Sequence, residues 1–185
     1  MKKQLPALFA SLMTAALLAA CGTTPNPGTT DDRINTHDQA TGALSQFEQT
    51  DATLQSKLDN AYAYAIFPEV VTAAVGVGGA HGNGEVYQHG QLIGYADMSQ
   101  ANVGVQLGAQ KYAELILFEN DARLSDFQHS TIEFDARATA VAASSGAAAT
   151  ANYSNGVIVF SMPQSGLMFQ AAVGGQKFRY TPVNP

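Results

Sequence analysis

Residues 61–87, AYAYAIFPEVVTAAVGVGGAHGNGEVY, decide which fold this chain can adopt. The stretch begins with small residues that alternate with tyrosines, continues through Ile66-Phe67-Pro68, and then becomes rich in valine and glycine. Alternation with a period of two, together with β-branched residues, is typical of strands. Asn83-Gly84 is a strong two-residue hairpin signal. We therefore expect a strand over 70–80 and a return strand over 85–88.

The glycines of this stretch suggest a phosphate-binding loop, but their spacing excludes one. A dinucleotide fingerprint needs glycines at i, i+2 and i+5. The third position is His81 when counted from Gly76, and Tyr87 when counted from Gly82. Glycines inside strands instead permit close approach of backbones or tight curvature of a sheet. We expect such structural roles for Gly76, Gly78, Gly79, Gly82 and Gly84.

Strand signals continue to the end of the chain. His89-Gly90 and Gly174-Gly175 are predicted turns, and 144–155 is predicted as a loop or weak strand. Asn120 or Asp121 is expected to cap a short helix over 120–127, with Leu124 and Phe127 facing inward. Further strands are predicted over 91–95, 101–118, 131–143, 157–160, 166–173 and 176–180.

Residues 37–60 carry the longest helical pattern, with apolar residues at intervals near three, four and seven. Thr36 and Asp38 are the expected caps, and Thr50-Asp51 interrupts the apolar stripe, so two shorter helices are an alternative. We favour packing of the stripe on the sheet over a membrane-surface helix, because Lys57 is the one basic residue on its polar face. The stripe consists of Ala40, Ala43, Leu44, Phe47, Leu54, Leu58 and Ala61.

Together these elements predict an α+β fold. An N-terminal helical segment precedes a mainly antiparallel, glycine-rich sheet of roughly six to eight strands with one short helix. So many small residues on one sheet face favour strong curvature, so we expect a partly closed, barrel-like sheet rather than a flat sandwich.

The N-terminus has the features of a lipoprotein signal peptide. Two lysines precede an apolar segment over 5–20, which is shorter than the ~20 residues of a spanning helix. Leu18-Ala19-Ala20-Cys21 then resembles the bacterial lipobox. The resemblance implies cleavage before Cys21 and its modification with fatty acyl chains such as palmitate. An ordinary signal peptide with a chance cysteine is the alternative.

This interpretation divides the chain into three parts: signal peptide 1–20, lipidated N-terminus and flexible tether 21–36, and domain 37–185. Gly22 stands where an aspartate would resemble an inner-membrane retention signal. We therefore expect attachment to the bacterial outer membrane through Cys21, with the domain facing the periplasm or the cell surface.

Charge and motif content restrict the function classes. Removing Lys2 and Lys3 leaves seven basic against fifteen acidic residues, a net charge of −8, which argues against nucleic acid as a partner. His81, Glu85 and His89 could surround the predicted hairpin, but they lack a recognisable metal spacing, so solvated turn histidines are favoured. The chain has no Gly-x-Ser-x-Gly and no His-Glu-x-x-His motif. We expect a non-catalytic protein without a cofactor.

Two features together resemble the SYLF domain family. Ile66-Phe67-Pro68 matches its "IFP" motif, and Gly78-Gly79-Ala80-His81-Gly82-Asn83-Gly84 matches its GGxxGxG segment. Weaker similarity continues through 103–110, 115–119, 124–127, 157–161 and Gly166-Leu167, and so covers nearly all of the domain. With the signal peptide and lipobox, the chain resembles Burkholderia-type lipoprotein members of the family.

The resemblance implies a lipid-binding module, with membrane phospholipid as its partner. Family members often have lysine where Thr72 stands, so phosphoinositide recognition is not expected to carry over. The alternatives are an envelope lipoprotein that binds another protein, and a metal or hydrolase site at the histidines named above. The residues expected to contact lipid are Phe47, Leu54, Lys57, Leu58, Lys111 and Lys177.

Overall fold

The computed structural model describes residues 30–132, 140–165 and 174–183, so the predicted signal peptide and Cys21 lie outside the described residues. The order of elements confirms the α+β class. The elements are α1 Thr30–Thr50, α2 Leu54–Asn60, β1 Ala63–Gln88, β2 Gln91–Phe118, α3 Asp121–Gln128, β3 Val141–Ala142, α4 Ala147–Thr150, β4 Val157–Ser165 and β5 Gln176–Pro182.

The sheet is built on β2. Strand β1 pairs with β2 along nearly its whole length, and β4 and β5 pair with opposite ends of the other edge of β2. All pairs of described strands are antiparallel except that of β3 with β4. The sheet is open and is not strongly curled, so the prediction of a barrel-like sheet is wrong. The described strand order ends at β1 on one side and at the two-residue β3 on the other, and no pairing between them closes the sheet.

The predicted hairpin at Asn83-Gly84 is also wrong, because both residues lie inside β1. They pair with Asp97 and Ala96 of β2. The chain reverses instead at His89-Gly90, as predicted for that turn, with φ angles of 50° and 77°. Positive φ at both central residues is the requirement of a type I′ turn.

Gly84 is needed for packing rather than for turning. A Cβ atom on Gly84 would overlap the carbonyl oxygen of Ile66 and lie 2.7 Å from Cδ1 of Phe67. A Cβ atom on Gly82 would lie 2.9 Å from the carbonyl oxygen of Glu69. The second half of β1 therefore lies directly against its first half, and Ile66, Phe67 and Pro68 are buried at this contact.

Irregular pairing makes this contact feasible. A straight strand of 26 residues would extend ~85 Å, too far for its two halves to touch. The register between β1 and β2 shifts between Phe67 and Val70, between Val75 and Val77, and between Val86 and Tyr87. Such bulges bend a strand and increase its twist. The long hairpin thus bends enough to bring Gly82 and Gly84 against residues 66–70, without closing the sheet.

Each face of the sheet has its own apolar core. On the face that we call inner, α3 and β5 supply Phe127 and Phe178, which pack with Phe67 and Phe118. On the opposite, outer face, α1, α2 and α4 cover one end of the sheet. The outer core joins Ala40, Ala43, Phe47 and Leu54 to Ile66, Leu115, Leu117, Ile158 and Phe160. Packing of the helical stripe on the sheet is therefore confirmed.

Local signals placed some helix boundaries correctly and others not. Asn120 caps α3 as predicted, because its Oδ1 accepts a hydrogen bond from the Arg123 amide at 3.1 Å. The break near Thr50 is confirmed as well. Helix α1 starts at Thr30, however, so the end of the predicted tether is helical, and Thr36 and Asp38 are interior residues rather than caps. The region predicted as a loop contains the short helix α4.

Two predicted strands lie partly or wholly outside the described residues. Of 131–143, the described strand residues are Val141 and Ala142, while 133–139 lie outside the described residues. The predicted strand over 166–173 lies wholly outside them.

Asp51 ties three helix ends together. One of its carboxylate oxygens accepts hydrogen bonds from the amides of Thr53 and Gly146 at 3.0 Å, and the other accepts one from the Ala148 amide at 2.6 Å. Burial alone would raise the pKa of this carboxyl group. The hydrogen bonds from Thr53, Ala148 and Gly146 outweigh burial and lower the pKa to about 2.

We expect Asp51→Ala to lower the free energy of unfolding by about 2 kcal/mol at neutral pH, since caps of this kind contribute up to that amount. The pKa of Asp51 is lower in the folded chain than its ordinary value of 3.8, so its contribution is present above pH 4 and is lost as the pH falls towards 2. Urea unfolding at pH 7 and pH 2.5 measures both effects. Asp38→Ala, at an exposed position of α1, is the control and should change stability little.

Gly84→Ala should destabilise the fold by about 3 kcal/mol, because the added methyl group would overlap backbone and Phe67. The matched control is Gly42→Ala in α1, where a Cβ atom would meet nothing within 4 Å. Removing a helical glycine there should raise stability by about 1 kcal/mol. Thermal unfolding of both variants measures the difference, and equal melting temperatures would contradict the packing role of Gly84.

Candidate functional site

The helices leave a set of described residues on the outer face exposed. We call this region the exposed outer face. Its strands are held in register by pairs such as Val71 with Lys111, His81 with Ser99, and Ser99 with Lys177. Its described exposed residues are Val71, Ala73, His81 and Asn83 of β1, Ser99, Ala101 and Lys111 of β2, and Lys177 and Arg179 of β5.

The centre of the exposed outer face comes from a part of the hairpin without charged residues. Residues 70–80 and 98–110 contain no Asp, Glu, Lys, Arg or His, and the two segments pair with each other. Val71 is 37% exposed and is one of two described large hydrophobic residues with that much exposure. A surface of this composition can enter a less polar environment without burying a charge at its centre.

Basic residues stand at both ends of this uncharged region. Lys111 donates a hydrogen bond to Glu69 at 2.8 Å, with both side chains nearly half exposed. Lys177 and Arg179 are exposed at the other end. Two of the six residues predicted to contact lipid, Lys111 and Lys177, therefore lie on one surface.

The structure places the other four predicted residues in the contact between the helices and the sheet. Phe47 and Leu54 are 1% and 2% exposed and belong to the outer core, and Leu58 packs against it. The ammonium group of Lys57 donates a hydrogen bond to the carbonyl oxygen of Ala151 at 2.7 Å. In this conformation these side chains stabilise the fold and are not presented to a membrane.

Asp97 lies at the end of the exposed outer face that carries Lys177 and Arg179, which we call its cationic end. It pairs with Asn83 of β1 and with Arg179 of β5, and it is 9% exposed. Burial raises the pKa of its carboxyl group to about 6, although the charges of His81 and Arg179 oppose the shift. Asp97 falls between the strands predicted over 91–95 and 101–118, whereas the structure places it inside the continuous strand β2, between β1 and β5.

The start of α1 lies against the same end of the sheet. The guanidinium group of Arg33 lies 5.5 Å from the ring centre of Tyr95, the residue two positions before Asp97. Further along α1, Nδ1 of His37 lies 3.2 Å from a carboxylate oxygen of Glu85, which is wholly buried. The first turns of α1 are therefore held to the sheet by polar and cation–π contacts.

Glu85 also accepts a hydrogen bond from the hydroxyl group of Tyr87, and its other oxygen has no described partner. Burial, and after it this hydrogen bond, raises the pKa of Tyr87. The ring of Tyr64 stacks on that of Tyr87, and burial raises the pKa of the Tyr64 hydroxyl group to about 12. The suggested grouping of Glu85 with two turn histidines is not formed. His81 is exposed on the strand, and His89 packs edge-on against Tyr62 at the turn.

A second buried carboxyl group, Glu114, lies on the inner face. It accepts a hydrogen bond from Nε2 of Gln176 at 2.9 Å and pairs across strands with Ser161. Burial raises the pKa of Glu114 to about 7. One oxygen of Glu114, the hydroxyl group of Ser161 and the amide oxygen of Gln176 have no described hydrogen-bond partner. These residues form a polar inclusion in the inner core.

Within the described ranges, no group of three or more His, Cys, Asp or Glu side chains could hold a metal ion. Among the helices described, none is long and apolar enough to cross a bilayer. The exposed outer face is the candidate site because, unlike the two buried carboxyl clusters, it is open to a ligand.

Comparison with known proteins shows a distant relationship. No protein-family model matches the chain. The chain is 28% identical over 159 residues to beta cell expansion factor A of Aeromonas veronii, in a match that covers 83% of this chain. The match covers 59% of that protein, so the chain corresponds to about three-fifths of its relative's length.

Glu114 makes stability depend on pH. Its folded pKa of about 7 lies above the ordinary 4.5, so its contribution is fully present below pH 4.5 and is lost as the pH rises towards 7. The total loss is about 3 kcal/mol for a shift of this size. Glu114→Gln, which cannot ionise, should remove this loss and be more stable than the wild type at pH 8.

Urea unfolding at pH 5 and pH 8 tests this expectation. Glu119→Gln, at an exposed position just beyond β2, is the control and should keep the wild-type pH dependence. If Glu114→Gln loses as much stability as the wild type between the two pH values, Glu114 is not the responsible group.

Proposed function

We propose that this chain is an outer-membrane lipoprotein whose SYLF-type domain docks its exposed outer face on a phospholipid bilayer and catalyses no reaction. The observation that carries the proposal is the exposure of Val71, Ala73 and Ala101 on one face that also carries the exposed basic residues Lys111, Lys177 and Arg179.

The energetics of such docking are modest but sufficient for an anchored protein. Each exposed basic residue near an anionic surface contributes ~1 kcal/mol, and each apolar side chain that leaves water adds ~25 cal/mol per Å². The acyl chains expected on Cys21 would supply the main membrane affinity. Docking of the exposed outer face then needs only to orient a domain that is already held at the surface.

The position of α1 would allow the lipid anchor on Cys21 and the exposed outer face to contact the same bilayer. Cys21 precedes Thr30, the first residue of α1, by nine residues, which reach at most ~32 Å when fully extended. Helix α1 starts beside Tyr95, at the end of the sheet that carries Arg179. A short connection from the bilayer to this end raises the effective concentration of the face at the membrane.

The SYLF resemblance supports the class of function rather than particular binding atoms. Its most specific residues, Ile66, Phe67 and Gly84, form the contact between the two halves of β1. They specify the bend of the hairpin and so determine where the exposed outer face lies. We accordingly assign structural roles to the motif and ligand contact to Lys111 and Lys177.

An envelope lipoprotein that binds another protein is the second candidate, favoured by a different observation. Among the described strands, β1 lies at one end of the sheet and pairs with β2 alone. An unpaired edge can accept an added strand from a partner. This candidate predicts partner binding that is independent of lipid.

Sedimentation with vesicles tests the proposal. The chain over 22–185 should sediment with vesicles of phosphatidylethanolamine and phosphatidylglycerol at low salt. Val71→Glu should weaken binding at least fivefold, because it places a negative charge beside the uncharged centre. Ala122→Glu adds the same charge at an exposed position of α3 and should change binding little. Equal weakening by both variants, or no sedimentation of the wild type, would argue against docking by this face.

A further inference from the structure

The cationic end of the exposed outer face contains one acidic side chain that conflicts with binding to an anionic surface. Side chains alternate along β2, and those of Ala96 and Met98 belong to the inner core. Asp97 and Ser99 therefore point to the outer side of the strand. Asp97 lies directly opposite Arg179, so its charge offsets that of a residue placed to meet lipid headgroups.

The groups around Asp97 come from all the elements packed beside it. Strand β5 contributes Arg179 and Lys177, strand β1 contributes His81 and the buried Glu85, and Arg33 of α1 lies over neighbouring Tyr95. Burial disfavours the ionised carboxylate of Asp97, and the cationic charges of His81 and Arg179 favour it. The balance leaves the group able to change its charge in mild acid, with an apparent pKa of about 6.

We propose that protonation of Asp97 controls docking, so that the exposed outer face binds anionic phospholipid bilayers more tightly in mild acid than at slightly alkaline pH. This inference rests on the proposed function and names its regulation. Above the transition, the carboxylate offsets Arg179 and loses further hydration when the face meets a bilayer. Below it, the neutral acid leaves Lys177 and Arg179 to contact phosphate groups without opposition.

Linkage makes the effect reciprocal. A bilayer that prefers the protonated face must raise the proton affinity of Asp97 by the same factor. One charge near an anionic surface changes binding by about fivefold. We therefore expect about fivefold tighter binding at pH 5.5 than at pH 7.5. Protonation of Asp97 should have its midpoint near pH 6 in the free protein and at a higher pH in the vesicle-bound protein.

The experiment measures sedimentation of the chain over 22–185 with vesicles of phosphatidylcholine containing phosphatidylglycerol, and with vesicles of phosphatidylcholine alone. Asp97→Asn should bind the anionic vesicles at pH 7.5 as tightly as the wild type does at pH 5.5, and most of its pH dependence should be gone. Glu69→Gln, which removes a carboxylate from the other end of the same face, should keep the pH dependence. His81→Gln should also keep a pH dependence, and loss of the response in this variant would contradict its assignment to Asp97.

Arg179→Gln gives a readout that does not depend on Asp97→Asn being folded. Without the cationic neighbour the pKa of Asp97 rises, so the midpoint of binding against pH should move upward. Binding of the wild type that is equal at both pH values, or an unchanged response in Asp97→Asn with wild-type circular dichroism, would overturn this inference and leave the proposed function intact. Failure of the wild type to bind either vesicle at either pH would overturn both.

Discussion

The structure depends on the contact of β1 with itself. Gly82 and Gly84 let the second half of the strand lie against the backbone of Ile66 and Glu69, at a distance that excludes any Cβ atom. The irregular register with β2 bends the hairpin enough to bring these segments together. The bend gives a 26-residue strand an inner side for a core, and it leaves an outer side that three helices can only partly cover.

The exposed outer face is a consequence of this arrangement. The helices cover the end of the outer face that is rich in leucine and isoleucine, where burial gives the largest gain. The middle of the hairpin is rich in small residues and has no charged ones, and Val71, Ala73 and Ala101 at its described positions are exposed. The basic residues of β2 and β5 border it, in a chain that is acidic as a whole. This is the surface that we propose to meet a bilayer.

Sequence patterns predicted what depends on neighbours along the chain. The Asn120 cap, the inward residues of α3 and the His89-Gly90 turn were all correct, because each is determined within a few residues. Asn83-Gly84 has the same local signal as a turn, but contact with Ile66 overrides it and keeps Gly84 extended in β1. The partners of Glu85 and Asp97 could not be predicted, since His37 and Arg179 reach them only through tertiary packing. Of the residues predicted to contact lipid, Lys111 and Lys177 are exposed on one face, whereas Phe47 and Leu54 are buried in the outer core.

The central claim is that the exposed outer face, and no other surface, meets the bilayer. Cys21 is the single cysteine of the chain, so residues 22–185 accept one introduced label at a chosen site. A spin label at Ala101→Cys, on the exposed outer face, should be relaxed by a nickel-chelating lipid when vesicles are added, whereas a label at Ala122→Cys on α3 should stay accessible to an aqueous reagent. Equal accessibility of both labels, or protection of the Ala122 site alone, would contradict the account.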